Sequence, residues 1–218
     1  YERTFLEEVD KLARKYPEVD LIRARVRRFN GNETLEDDSV RKEYESQIEY
    51  LFNSCKVVQV PCIGNYVLKT KALLSINGFY ELPLAWGSDE VTTNMMSQNG
   101  VAVTQNIEFS FRWSGKNIST IENDKTLIAK LEARKQLVLC YKKFFQEIET
   151  DGSLWSKNML EYAQKKYIGD AYKSIFHYFQ VLSFSELLRL LGFLKQHGLL
   201  QNRKEPYCLV KYWIRKNL

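Results

Sequence analysis

The sequence predicts an α/β fold, or α+β if the 218 residues are a fragment of a longer chain. Residues 1–16 carry apolar side chains at helical spacing, and a proline directly after them marks a helix end. Residues 20–29 alternate between apolar side chains and arginines, which is the period of a strand with one buried face. From Thr120 onward the apolar spacing is helical, with Tyr141 on the apolar face of one long helix and Ser183 as the cap of a later helix. These observations divide the chain into a strand-bearing part, 1–120, and a helical C-terminal region, 121–218.

The arginines of the first predicted strand have two explanations. Arg23, Arg25 and Arg27 share one face and Arg28 follows them, so the strand can bind phosphate groups. Alternatively, the strand is half-exposed and its arginines pair with acidic neighbours. The sequence favours this pairing, because a charged strand face is more often a solvated one.

The other elements of the strand-bearing part are short, and glycine, proline and polar clusters separate them. The segments predicted in chain order are a turn at 30–32, an acidic loop over 33–38, a helix capped by Ser39 with Val40, Tyr44, Ile48 and Leu51 on its apolar face, a strand over 57–60, a helix within 67–76, and strands over 101–104 and 107–113.

The stretch from Asn77 to Gly100 organises the whole chain. It contains a glycine turn, an aromatic-rich loop, an acidic helix start and a glycine stop. Ser88 is predicted to cap the helix, and the positive end of the helix dipole favours the carboxylates of Asp89 and Glu90 in its first turn. These two acids form either a catalytic base in a pocket or an ordinary helix start, and spacing alone favours the ordinary helix start.

Three segments of this stretch resemble the acceptor-side motif of family 2 glycosyltransferases, which have the GT-A fold. They are Gly78-Phe79-x-Glu81, then Trp86-Gly87-Ser88-Asp89-Glu90, then Gly100. In that family one acid at the helix start is the general base of an inverting sugar transfer. By position the pair corresponds to Asp89 and Glu90. Asp89 is favoured because it directly follows the Trp-Gly-Ser loop, and Glu90 remains the alternative, since Ser-Asp-Glu stands where many members have Glu-Asp.

The resemblance also implies a set of substrate-binding positions and a partial GT-A architecture. The architecture is a mixed sheet flanked by helices over 1–120, forming the acceptor-side half of the enzyme. A family-like segment at residues 112–119 can face the acceptor or the donor phosphate, or can be only a turn and a cap for the next helix. The implied substrate-binding residues are Asn65, Tyr66, Lys69, Trp86, Gly87, Ser88, Arg112 and Ser114.

The nucleotide-binding half of such an enzyme has no counterpart in this sequence. In the family that half ends in an acidic DxD motif that holds the divalent metal of the donor diphosphate. The first helix here resembles the helix directly after that motif. We therefore expect a fragment, inactive alone, whose parent enzyme uses manganese or magnesium with ligands outside this chain. Its donor is expected to be a nucleotide sugar of the UDP type, and its acceptor a glycan or a lipid-linked saccharide.

Cysteine and hydropathy patterns exclude several classes of protein. The four cysteines have no CxxC spacing and only two histidines accompany them, so a zinc site or a thiol nucleophile is not expected. No apolar run reaches the length of about 18 residues that spans a membrane, and no signal peptide opens the chain. The expected location is the cytoplasm, with peripheral attachment at the inner membrane face as an alternative.

The positive charge lies in the C-terminal part. Residues 151–218 hold 11 Lys and Arg against 5 Asp and Glu. A basic-aromatic helix is predicted over 207–218, where Trp213 lies among Lys211, Arg215 and Lys216. Such a helix can lie on an anionic membrane or pack on its own domain, and packing is favoured. The second hypothesis for the whole chain is therefore a non-catalytic basic helical module that binds a membrane or a partner protein. Nucleic acid is not an expected partner.

Overall fold

The computed structural model describes residues 1–56, 62–113, 124–169, 182–196, 210–211 and 213–214, and shows a mixed α/β architecture. Its helices are α1 (Phe5–Lys15), α2 (Gln47–Lys56), α3 (Thr70–Ser75), α4 (Ser88–Met96), α5 (Asp124–Phe144), α6 (Leu154–Gly169) and α7 (Phe184–Gln196), with short 3₁₀ turns at Ile63–Asn65 and Pro83–Ala85. Its strands are β1 (Leu21–Asn30), β2 (Glu33–Asp37), β3 (Tyr44–Glu45), β4 (Tyr66–Leu68) and β5 (Val101–Arg112).

The sheet is mixed and is built around β1. One edge of β1 runs parallel to β5, with Leu21 opposite Val101 and Phe29 opposite Arg112. The other edge pairs antiparallel with β4 near its start and with β2 near its end. The antiparallel strand β3 joins the far edge of β5, giving the order β2-β1-β5-β3. This arrangement confirms the α/β class.

One hydrophobic core connects the sheet to the C-terminal helices. It contains apolar residues of β1, α4 and β5 together with residues of α5, α6 and α7. Helix α4 therefore lies between the sheet and the helical region and buries residues against both. The domain boundary predicted near residue 120 falls in the segment 114–123, outside the described residues, and remains a prediction. Core residues from these elements include Leu21, Val91, Met96, Val101, Val103, Leu131, Leu137, Tyr141, Ala163, Leu187 and Leu190.

Several predicted boundaries were wrong for identifiable reasons. The segment 101–112 is one strand rather than two, because irregularities in its register with β1 absorb the polar residues Gln105 and Asn106. The acidic segment predicted as a loop forms β2. Helix α2 begins after Ser46 rather than Ser39: Ser46 and Glu49 form a capping box, in which each side chain accepts the other residue's backbone N–H.

Three of the four strand arginines are paired with acidic side chains, as the favoured explanation predicts, whereas Arg25 donates to the carbonyl oxygens of Gln105 and Asp38. Arg27 forms a bidentate pair with Asp37, and Arg28 lies 3.0 Å from Glu36. The acidic side chains of β2 therefore lie opposite the arginines of β1 and balance their charge. Arg23 differs from the expectation, since its side chain is fully buried and its Nη2 lies 2.7 Å from an oxygen of Asp38.

The C-terminal predictions are only partly covered by the described residues. Ser183 caps α7, as predicted, and Glu186 completes a capping box with it. The Trp213 indole N–H donates to the Leu182 carbonyl at 2.7 Å, and its ring lies 5.6 Å from that of Phe184, which agrees with packing on the protein itself. None of the described helices has the length and apolar content needed to cross a bilayer. The predicted strand at 57–60 and residues Ser114, Arg215 and Lys216 lie outside the described part of the chain.

Candidate functional site

The start of α4 is formed by a glycine with an unusual backbone. Gly87 has φ +88° and occupies the N-cap position, so Ser88 is the first helical residue and the predicted Ser88 cap is wrong. Gly87 also allows a close approach to α5, because a Cβ atom there would lie 2.8 Å from Cδ1 of Leu137. The helix ends at Met96, before the predicted stop, and Gly100 instead lies at φ +84° in the turn to β5.

The loop before α4 holds residues in the left-handed backbone region. Leu84 and Ala85 have φ values of +57° and +52°. Each such non-glycine residue costs about 1–3 kcal/mol, so surrounding contacts must fix this loop. At the preceding turn, Asn77 and Gly78 both have positive φ, of 65° and 87°. Asparagine tolerates this conformation better than other non-glycine residues, which explains how Asn77 fits this turn.

Trp86 packs against cations of α5. The Lys130 ammonium lies 4.4 Å from the centroid of the indole ring, and the Arg134 guanidinium lies 6.0 Å from it. The ring quadrupole attracts both charges. One side of the ring is therefore occupied by Lys130, and the loop carrying Trp86 is attached to the C-terminal region.

Asp89 is the one of the two acids whose carboxylate has no side-chain hydrogen-bond partner among the described residues. In the described part of the chain its carboxylate accepts hydrogen bonds only from backbone N–H groups, including that of Glu90 at 2.9 Å. Burial raises the pKa of Asp89, and the charge of Glu90 adds to this effect, whereas backbone hydrogen bonds and Arg134 oppose it. A carboxylate with a raised pKa is a stronger base than ordinary aspartate, which suits proton abstraction near neutral pH.

Glu90 is held by two side chains of α5. The hydroxyl group of Tyr141 donates to its Oε1 at 2.8 Å, and Nη1 of Arg134 lies 3.4 Å from its Oε2. The two adjacent acids therefore differ in their surroundings: both oxygens of Glu90 face donors of the helical region, and Asp89 has no such partner among the described residues.

The turn between α2 and β4 carries Cys62 and Asn65. Burial is the main cause that raises the pKa of the Cys62 thiol, and the charge of Asp89 raises it further, so the thiol is protonated at neutral pH. Asn65, in the same turn, is fully buried and donates from Nδ2 to the carbonyl of Ala24 at 2.7 Å. Its Oδ1 is a buried acceptor without a hydrogen-bond partner in the described residues.

Other predicted positions are engaged away from this site. The Lys69 ammonium donates to the carbonyl of Pro17 at 2.6 Å and lies 3.4 Å from Asp20, at the start of β1. The hydroxyl oxygen of Tyr66 lies 3.3 Å from that of Tyr50. Arg112 is exposed at the end of β5. In the described contacts, neither Lys69 nor Arg112 is joined to Asp89.

Sequence reasoning missed the residues that α5 contributes, whereas Asn65 of the 62–65 turn was among the predicted residues. Arg134 and Lys130 are helical cations that the pattern treats as solvated, although Lys130 is almost fully buried. Tyr141 was placed only on the apolar face of a helix. A tyrosine at such a position requires a partner for its hydroxyl group, and that was the available signal.

The described residues contain no group of three or more His, Cys, Asp and Glu side chains that could hold a metal ion. No protein-family model matches the chain, and neither do characterised proteins or solved structures.

Proposed function

We propose that these residues form the acceptor-side half of an inverting glycosyltransferase of the GT-A type. Asp89 removes the proton from an acceptor hydroxyl group as the hydroxyl oxygen attacks the anomeric carbon of a nucleotide sugar. The nucleoside diphosphate leaves with its electron pair. The observation that carries the proposal is the contrast between the two acids, since Glu90 is held by α5 and Asp89 is not.

A general base needs an available lone pair and a pKa near the working pH. Asp89 meets the first requirement because only backbone donors bind its carboxylate in the described residues. For the second requirement, burial and the charge of Glu90 raise the pKa of Asp89 toward the working pH. Glu90 is less suited, because proton abstraction would require it to release Tyr141 or Arg134.

The order of elements supports the same assignment. Helix α3 leads into a positive-φ turn at Asn77 and Gly78, then into a loop fixed by Trp86, and then into an acidic helix start followed by β5. Together with β1 this gives a mixed sheet with the carboxylate pair beside it. The order is the one expected from the resemblance to family 2 glycosyltransferases.

The rest of the reaction is assigned to groups outside these residues. A divalent metal, with ligands outside these residues, would bind the diphosphate of a UDP-type sugar and would offset the negative charge that develops on the leaving group. The acceptor is a saccharide or a lipid-linked saccharide of polysaccharide or glycolipid synthesis. A lipid-linked acceptor places the enzyme at the cytoplasmic face of the membrane.

The proposal is tested by measuring nucleoside diphosphate release with a panel of nucleotide sugars and saccharide acceptors, using the longest natural form of the protein. The variants are Asp89→Asn and Glu90→Gln. General-base catalysis contributes about 10²- to 10⁴-fold, so Asp89→Asn should lower kcat by that factor, whereas Glu90→Gln should lower kcat by a smaller factor because the base is still present.

Two results would contradict the proposal. One is a wild-type protein that transfers no sugar from the panel in the presence of manganese or magnesium. The other is a folded Asp89→Asn variant that keeps more than about a tenth of wild-type turnover, since the loss of a base should exceed that. Circular dichroism of both variants controls for misfolding.

The alternative of a membrane- or partner-binding helical module gains no support from the described residues. Its aromatic anchor, Trp213, is bonded to Leu182 and lies against Phe184. The test is liposome binding, in which salt-sensitive attachment to anionic vesicles that is lost with Trp213→Ala would favour the module.

A further inference from the structure

A tyrosine of α5 connects two residues on the same face of α4. The hydroxyl oxygen of Tyr141 accepts a hydrogen bond from Nδ2 of Asn94 at 2.8 Å and donates one to Oε1 of Glu90 at 2.8 Å. Glu90 and Asn94 are four residues apart and therefore lie one above the other on the helix. The hydroxyl group uses both its donor and its acceptor in this bridge.

The Tyr141 ring is held in place by its neighbours. It is fully buried and meets the ring of Tyr167 edge-on at 4.8 Å, with the ring of Phe145 at 6.0 Å. Asn94 is also buried. A rigid aromatic setting limits where the hydroxyl group can lie, so the bridge is preorganised rather than adjustable.

Among the described residues, Glu90 is held by Tyr141 at one carboxylate oxygen and by Arg134 at the other. The Glu90 side chain is 36% exposed, so it has room to turn toward solvent if the bridge is removed. Arg134 contacts its other oxygen at a long distance of 3.4 Å. Tyr141 therefore supplies the shorter of the two contacts that fix the position of Glu90 beside Asp89.

We propose that Tyr141 is a positioning residue that holds Glu90 beside the base Asp89 and fixes the first turn of α4 against the helical region. This inference rests on the proposed function for its catalytic meaning, but its structural content can be measured without activity. With Tyr141 in this role, helix α5 of the C-terminal region is part of the site.

The charged and titratable groups around the pair come from four elements. The pair is Asp89 and Glu90 on α4. The groups that interact with it are Arg134 and Tyr141 on α5, Tyr167 on α6, and the Cys62 thiol in the turn before β4. Burial and the neighbouring Glu90 hold the pKa of Tyr141 well above its ordinary value, so Tyr141 stays a proton donor to Glu90. Glu90 in turn raises the pKa of Asp89. Releasing Glu90 into water screens its charge and should lower the pKa of Asp89.

The test compares Tyr141→Phe with Tyr16→Phe. Tyr16 is a matched control, because its hydroxyl group also donates to a glutamate at 2.8 Å, that of Glu43, on a different part of the fold. The pKa of the Asp89 carboxyl group is measured by ¹³C NMR titration, with the signal assigned by Asp89→Asn. Where transfer can be assayed, the acidic limb of its pH profile is measured as well.

We expect Tyr141→Phe and Glu90→Gln to lower the measured pKa of Asp89 and to move the acidic limb to lower pH, with no shift in Tyr16→Phe. We expect kcat of Tyr141→Phe to fall by about 10- to 100-fold, as small misplacements of catalytic groups do.

An unchanged Asp89 titration in Tyr141→Phe would overturn the inference, whatever its effect on stability. This failure is distinct from failure of the proposed function. If Asp89→Asn abolishes transfer while Tyr141→Phe leaves the profile unmoved, the base assignment stands and the positioning inference fails. If the Asp89 titration shifts but Asp89→Asn keeps its turnover, the bridge is real and the proposed function fails.

Discussion

Replacing Gly87 with alanine tests how tightly the loop before α4 is fixed to the helical region. Gly87 has φ +88°, and an alanine in the left-handed region costs about 1–2 kcal/mol. Its Cβ atom would also lie 2.8 Å from Cδ1 of the fully buried Leu137, and overpacking of this kind costs about 1–3 kcal/mol. Gly87→Ala should therefore lower the free energy of unfolding by about 2–5 kcal/mol.

The matched control is Gly78→Ala. Gly78 has nearly the same φ, +87°, but a Cβ atom there would meet nothing within 4 Å. It should lose only the conformational part, about 1–2 kcal/mol. Equilibrium urea unfolding, followed by tryptophan fluorescence, measures both values.

A double variant isolates the contact with α5. In a Leu137→Ala background the clash is absent, so Gly87→Ala should cost only the conformational part, and the two substitutions should couple. The reasoning is refuted if Gly87→Ala is no more destabilising than Gly78→Ala, because the loop would then not be packed against Leu137.

Two further predictions concern buried charges. Because the folded-state pKa of Asp89 is raised above its unfolded value, the stability associated with Asp89 is fully present below the ordinary aspartate pKa of about 3.9 and is lost as pH rises through the folded pKa. Asp89→Asn should therefore raise the free energy of unfolding at pH 7, and this increase should disappear toward pH 4. Urea unfolding across that pH range measures the increase. An increase that is constant with pH, or larger at pH 4, would contradict the prediction. Arg41 and Glu45 form a buried ion pair, so Arg41→Met should cost about 3–5 kcal/mol by leaving the Glu45 carboxylate unpaired. Arg41→Met combined with Glu45→Leu should recover most of that loss in thermal unfolding, and a double variant as unstable as the single one would count against the ion-pair explanation.

Local patterns were sufficient for elements whose signals lie in neighbouring residues. The period of two over β1 and the helix cap at Ser183 were correctly predicted. Strand β2 was missed because its acidic residues disfavour a strand by themselves, and it forms because β1 places arginines opposite them. The single strand β5 was missed because bulges, which depend on the partner strand, carry it through Gln105 and Asn106.

The candidate site shows the same limit. The carboxylate pair could be recognised from Gly87, Asp89 and Glu90 because these residues are contiguous. Sequence alone could not separate the two acids, since the difference between them is made by Arg134 and Tyr141, which lie 44 and 51 residues later than Glu90. Only the packing of α5 on α4 reveals it.

The most direct test of the central claim compares two titrations of the same group. The acidic limb of kcat/KM for sugar transfer reports the pKa of the essential base in the free enzyme, and ¹³C NMR reports the pKa of the Asp89 carboxyl group. We predict that the two pKa values coincide and that both lie above the ordinary value for aspartate. A limb that differs from the Asp89 titration, or that persists in Asp89→Asn, would show that another group is the base.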